Sequence, residues 1–191
     1  MKDGTHSHVL YDTKPLNLEQ TKVLYESLGN ALQLVGDAVG LPSGPGVDWA
    51  ALDDEQFEQL CYDVIYAHPK FDSATIRKLG NSRSRDGGRD IEIWEMPLVR
   101  GGHRKKWIFQ CKLTKGKSLG ATKITDIGDM LDQAAANGFG VMTSTLIDAT
   151  LYTKLDEVCG RRSVAQLNFS SLELNRAIMR NASLRNRYFA S

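Results

Sequence analysis

The chain has 191 residues, 41% of them hydrophobic, with 24 Lys/Arg against 23 Asp/Glu and a formal net charge of +1. That length suits one well-packed domain with an appendage, and no apolar run approaches the roughly 20 residues that span a bilayer. The near-neutral total hides an asymmetry: residues 1–73 hold 4 Lys/Arg against 12 Asp/Glu, residues 74–123 hold 13 against 4, and residues 124–191 hold 7 of each.

The first residues, Met1 to His6, carry no apolar stretch, so no secretory leader is expected. Cys61, Cys111 and Cys159 are too far apart for a disulfide framework or a zinc pattern. Cys61 and Cys111 fall in apolar settings and read as packed thiols, which fits a reducing, cytoplasmic location away from membranes.

Residues 1–13 are polar, and the His6-x-His8 pair has no further ligand nearby. A helix is expected from Asn17 to Val39, with Leu24, Leu28, Leu32, Val35 and Val39 along one stripe. The Gly- and Pro-rich run from Gly40 to Gly46 breaks it. Residues 1–46 are therefore expected to form a tail, an accessory helix and a linker, and residues 47–191 the main domain.

A second helix is expected to start at Asp53, with Gln56 completing a capping box. Its core stripe is Phe57, Leu60, Cys61, Val64 and Ile65, with Glu58 at the edge. Residues 74–79 suggest a short strand, and Asp86-Gly87-Gly88 a tight turn. Two strands of a hairpin follow, Arg89 to Trp94 and Trp107 to Lys112, across a charged loop from Glu95 to Lys106. A helix is expected over 121–137, ended by Gly138, then a buried strand from Phe139 to Thr143. A helix over 147–159, a short strand over 164–169 and a last helix over 171–187 complete the chain. The order α-β-β-β-α-β predicts an α/β fold, a mixed central sheet flanked by helices. The helical crossover between residues 114 and 139 predicts that its two flanking strands pair in parallel.

Three polar groups interrupt the hairpin strands: Asp90, Gln110 and Lys112. Burying a carboxylate and an ammonium is costly unless they pair or bind something. Gln110 and Lys112 are two apart and share one face, while Cys111 points to the other. An acid, an amide oxygen and a lysine gathered there suit a hard cation and a phosphate. Glu92 shares the face of Asp90 by alternation; of its two readings, a competitor for the cation or a surface residue, the surface residue is favoured. A structural Asp90–Lys112 cross-strand pair and a solvated Glu58 are the alternatives.

Asp90 followed by Gln110-x-Lys112 on the next strand resembles the PD-(D/E)xK nuclease core. Together with the run from Asp86 to Asp90, it resembles the Mrr-like restriction endonuclease branch. The Phe57-Glu58 pair on the upstream helix, the strand ending Val141-Met142-Thr143 and the closing run from Leu184 to Phe189 extend the resemblance over about residues 53 to 189.

The resemblance implies a restriction-endonuclease-like core with an extra N-terminal helix. It also implies a Mg²⁺-dependent DNA endonuclease, Mn²⁺ serving as a substitute, with a role in restriction or anti-phage defence. Asp90, Gln110 and Glu58 would hold the metal, and Lys112 would hold the attacking water and stabilise the pentacoordinate phosphate. Gln110 stands where the family often has an acid, which makes Glu58 more valuable as the second carboxylate. Arg83, Arg85, Arg89, Arg104, Lys105, Lys106, Lys115 and Lys117 lie in the basic block and are the candidate grips on the DNA backbone. The family joins such domains to a sensor or recognition module, in the same longer chain or as a partner, and double-strand cleavage favours a homo-oligomer. The alternatives are a catalytically silent nucleic-acid-binding module, or a nuclease acting on RNA or branched DNA.

Overall fold

The computed structural model describes residues 47–79, 88–97 and 102–189, together with Glu19, Val23 and Ser27. Those three isolated residues are helical. The remainder of the expected 17–39 helix, the linker, and Arg83, Arg85, Asp86 and Gly87 lie outside the described residues. The chain clusters into two units, 1–43 and 44–191; the fold below is that of the second.

Helix α1 spans Asp54–Tyr66. It starts where expected, because Asp53 accepts the Gln56 N–H at 2.7 Å and the Gln56 side chain accepts the Asp53 N–H at 3.0 Å. The first strand is shorter than expected: Asp72 caps a 3-10 turn at Ser73–Thr75, so β1 is only Arg77–Lys78. The hairpin is β2, Ile91–Trp94, and β3, Lys106–Lys112, antiparallel with Ile91 opposite Phe109.

The expected helix over 121–137 is broken. Residues Ala121–Lys123 form a 3-10 turn, and Asp126 adopts φ 54°, so α2 covers only Ile127–Ala134. Gly138 does not end that helix. Ala135, itself left-handed at φ 48°, closes it, and Gly138 opens β5, Gly138–Thr143. Helix α3 spans Ala149–Arg162, capped by Asp148, whose carboxylate accepts the Leu151 N–H. The strand expected over 164–169 is reduced to β7, Ala165–Gln166. The last expected helix is two, α4 (Ser171–Arg180) and α5 (Ala182–Phe189). Asn181 separates them: it leaves helical backbone and its side chain accepts the Ser183 and Leu184 N–H groups, the competition with the helix that Asn side chains offer.

The main sheet has the order β1-β2-β3-β5-β7, with β3 and β5 parallel as the crossover predicted. A small parallel pair, β4 (Ser118–Leu119) and β6 (Leu146–Ile147), lies apart from it. The result is the expected mixed α/β architecture. Phe57, Leu60, Ile65, Ile91, Ile93, Trp107, Phe109, Leu174 and Ile178 form the core between one sheet face and α1, α4 and α5. Ile108, Ile127, Leu131, Phe139, Val141, Leu151 and Leu155 form the second core, under α2 and α3. The two aromatic rings of β3 pack on glycines of β5: a Cβ on Gly138 would stand 2.1 Å from the Trp107 ring, and one on Gly140 2.4 Å from Phe109. Among the described residues, no helix is long and apolar enough to cross a membrane.

Candidate active site

Asp90 lies one residue before β2, at the end of the hairpin where β3 finishes. Its N–H donates to the Phe109 carbonyl at 3.0 Å, the residue that Ile91 also faces. Two residues thus stand opposite one, as at a β-bulge, which re-aims a side chain. Strict alternation would have grouped Asp90 with Glu92. Instead the Asp90 Oδ2 accepts the Cys111 N–H at 2.6 Å, and its charged neighbours are Glu58, Lys112 and Lys78.

Burial is the largest influence on Asp90 and pushes its carboxyl from 3.8 to about 6. The Cys111 N–H and the two lysines pull the other way, and Glu58 adds to the rise. Glu58 is itself buried at 9% exposure. Its carboxyl is raised chiefly by burial, against the lowering fields of Lys78 and Lys112. It is not the solvated helix residue of the alternative reading. Phe57 anchors the helix face in the core and turns Glu58 to a cleft of about 280 Å³ lined by Asp54, Phe57, Glu58, Cys111, Lys112 and Leu113. Asp90 and Lys112 make no direct ion pair, and among the described residues the Lys112 ammonium has no hydrogen-bond or ion-pair partner. The structural cross-strand pair is therefore not formed.

Gln110 precedes Cys111 on β3, is 5% exposed, and its Oε1 is buried without a hydrogen-bond partner among the described residues. A buried orphan acceptor is expensive, which marks it as a ligand-facing atom or a strain. Gly88, with φ +82°, makes room for the amide: a Cβ there would lie 2.7 Å from Gln110 Nε2. The glycine of the expected turn is thus needed both for its backbone and for this close approach.

The basic residues divide. Arg89 and Lys106 pair with Glu92 at 3.1 and 3.0 Å, and Arg104 pairs with Asp72 at 2.5 Å. Glu92 is consequently buried at 7% exposure, not a surface residue. Lys115 and Lys117 are exposed just beyond Lys112. Lys105 is exposed at the opposite end of β3, roughly 20 Å away at strand rise. The residue that sequence reasoning missed is Lys78, whose Nζ lies 3.8 Å from Glu58 Oε2. Only its place in a short strand beside β2 gave a signal.

The donor set fits a hard divalent cation. Two acids whose ionisation is disfavoured by burial, and an orphan amide oxygen on the same strand as Cys111 and Lys112, are the carboxylate and neutral oxygen types that Mg²⁺ takes while keeping water. Among the described residues no group of three or more His, Cys, Asp or Glu gathers. Any such cation would lean on Gln110 and water for its remaining ligands.

Three comparisons bear on this geometry. The Mrr catalytic-domain family model, described as a restriction endonuclease, matches residues 49–153, just over half of the chain. No curated protein matches it. Among solved structures, the DNA modification-dependent restriction endonuclease AspBHI is similar, with TM-score 0.45 and 12% identity, covering 76% of this chain and 42% of that one. The chain thus spans less than half the length of that enzyme.

Proposed function

The chain belongs to the Mrr-type restriction endonuclease family, and from that premise we propose that it is a divalent-metal-dependent endonuclease hydrolysing phosphodiester bonds of DNA. The observation that carries this reading is the Asp90 carboxylate, fixed by the Cys111 N–H with Glu58 and Lys112 as charged neighbours.

Asp90, Glu58 and Gln110 would hold Mg²⁺, with Mn²⁺ as a substitute. When bound, the ion supplies charge neutralisation at the phosphate and a more acidic water. The chain's own residues do the rest. The backbone N–H of Cys111 holds the Asp90 carboxylate in one orientation, so no reorganisation is needed on binding. Lys112, with no other described partner, places its ammonium where it orients the attacking water and meets the charge growing on the pentacoordinate phosphate. Gly88 leaves room for the Gln110 amide. Lys115 and Lys117, exposed beyond the cleft, grip the DNA backbone without reading sequence, joined by Lys105 and by Arg83 and Arg85. Arg89, Arg104 and Lys106 contribute mainly through the field, since each already has a carboxylate partner.

In this reading the domain acts in restriction of foreign DNA in the cytoplasm. It pairs with a recognition or sensor module and works as a homo-oligomer when both strands are cut. The test is conversion of supercoiled plasmid with Mg²⁺ or Mn²⁺. Nicking or linearisation that is lost with EDTA, Asp90→Ala and Lys112→Ala supports the proposal. DNA binding without metal uptake or cleavage would replace it with the silent binding module, and preference for RNA or junctions in competition would change the substrate.

A further inference from the structure

Lys78 has no place in the reading above, yet it touches the site from a third element. It lies on β1, opposite Ile91, the residue after Asp90. The next residue, Leu79, donates its N–H to the Asp90 carbonyl at 2.9 Å, so β1 is tied to the backbone of Asp90 itself. The Lys78 side chain is 26% exposed and Glu58 12%, and the two are separated by 3.8 Å without a hydrogen bond. The pair is at the outer limit of an ion pair. It is close enough to hold the carboxylate and loose enough to be displaced.

The two ammoniums near the acids differ in this respect. Lys112 has no described hydrogen-bond or ion-pair partner, whereas Lys78 is engaged with Glu58. Lys78 also leads the influences that favour the ionised form of Glu58, ahead of Lys112. An ammonium and a divalent cation cannot both sit at low cost against one buried carboxylate, because each repels the other across a few ångströms of poorly solvated space.

Resting on the metal reading of the site, we propose that Lys78 is a positioning residue, a resident counter-ion that holds Glu58 in the metal-free domain and competes with the divalent cation for it. The lysine stabilises the arrangement of the acids before metal arrives and sets the concentration at which metal takes Glu58. It does this without contacting the reacting phosphate.

The experiment is a Mn²⁺ titration of the full chain without DNA, followed by loss of the free-ion electron paramagnetic resonance signal. Wild type is compared with Lys78→Met, Lys78→Gln, Glu58→Gln and the Lys78→Met/Glu58→Gln double variant, with melting curves to confirm folding. Removing Lys78 is expected to tighten Mn²⁺ binding roughly fivefold, the upper range for a part-exposed ion pair. In the Glu58→Gln background the same change is expected to shift the Kd less than about twofold. If Lys78→Met does not fold, Lys78→Gln carries the comparison. A Kd that is unchanged or weaker without Lys78, in a wild type that binds Mn²⁺, overturns this inference alone. Equal tightening with and without Glu58 also overturns it, leaving a general field effect. If neither wild type nor any variant takes up Mn²⁺, the metal reading falls and this inference with it.

Discussion

Asp90 and Glu92 are acids two residues apart on one hairpin, and the fold treats them in opposite ways. Glu92 is buried but answered by Arg89 and Lys106 at 3.1 and 3.0 Å. Lys106 is further fixed by the Ala134 carbonyl at 3.1 Å, tying the acid to the end of α2. Among the described residues Asp90 has a single backbone donor and no ion pair, and its carboxyl is pushed up to about 6. A carboxylate whose charge is fully answered within the chain is a structural part. One left short of positive charge next to a cleft is poised to receive a ligand.

The contrast is broken most decisively at Asp90 itself. Asp90→Asn is expected to reduce plasmid cleavage by on the order of 10³ or more, as loss of a group acting in the transition state does, while the melting curve shows a folded domain. Glu92→Gln, assayed at a temperature where it is folded, is expected to keep most of its cleavage rate. A deep activity loss in that variant would make Glu92 part of the site.

Stability should show the reverse order. Glu92→Ala removes the buried acid that both Arg89 and Lys106 pair with and is expected to cost about 3 kcal/mol, measured by urea unfolding. Asp90→Asn is expected to stabilise the metal-free domain. Its native carboxyl titrates near 6 rather than at the ordinary 3.8, so the native state binds the extra proton between those values. Stability of the wild type in EDTA therefore falls as pH rises from about 4 to about 6, by up to roughly 3 kcal/mol. The fall should be smaller in Asp90→Asn. An equal fall in both would assign the pH dependence to other groups.

Gly88→Ala sharpens the comparison at lower amplitude. A Cβ at φ +82° and 2.7 Å from Gln110 Nε2 is expected to cost about 1–2 kcal/mol. It should also weaken Mn²⁺ uptake, because the amide must move. Unchanged uptake would remove Gln110 from the metal site. The smallest effect is expected from Lys115→Gln and Lys117→Gln. Each should lower the slope of log DNA affinity against log salt by about 1 without altering cleavage of bound DNA.

The sequence carried much of this because several of its signals are local. The Asp53–Gln56 capping box and the Phe57 to Ile65 stripe placed α1 and put Glu58 at its edge. The alternation around Gln110, Cys111 and Lys112 placed β3 and sent Cys111 into the core. Where the backbone left helical geometry, local patterns misled: Asn181, whose side chain caps the next turn, split the last helix, and the left-handed Asp126 shortened the one before β5. The basic block was legible as composition, but its meaning was not. Half-structural roles for Arg89, Arg104 and Lys106 depend on acids up to 32 residues away.

By itself, the chain's sequence determined the α-β-β-β-α-β order, the parallel crossover and the identities of Asp90, Gln110, Lys112 and Glu58 as candidates. Periodicity, capping and polar residues inside apolar strands all act within a few residues. Only the tertiary structure decided that Asp90 and Glu92 part company. The register shift at Phe109 turns Asp90 toward α1, while Arg89 and Lys106 close on Glu92. It alone brought Lys78 to Glu58 from a strand 20 positions away. Charge compensation is a property of distances in space, and a linear pattern holds no such distances.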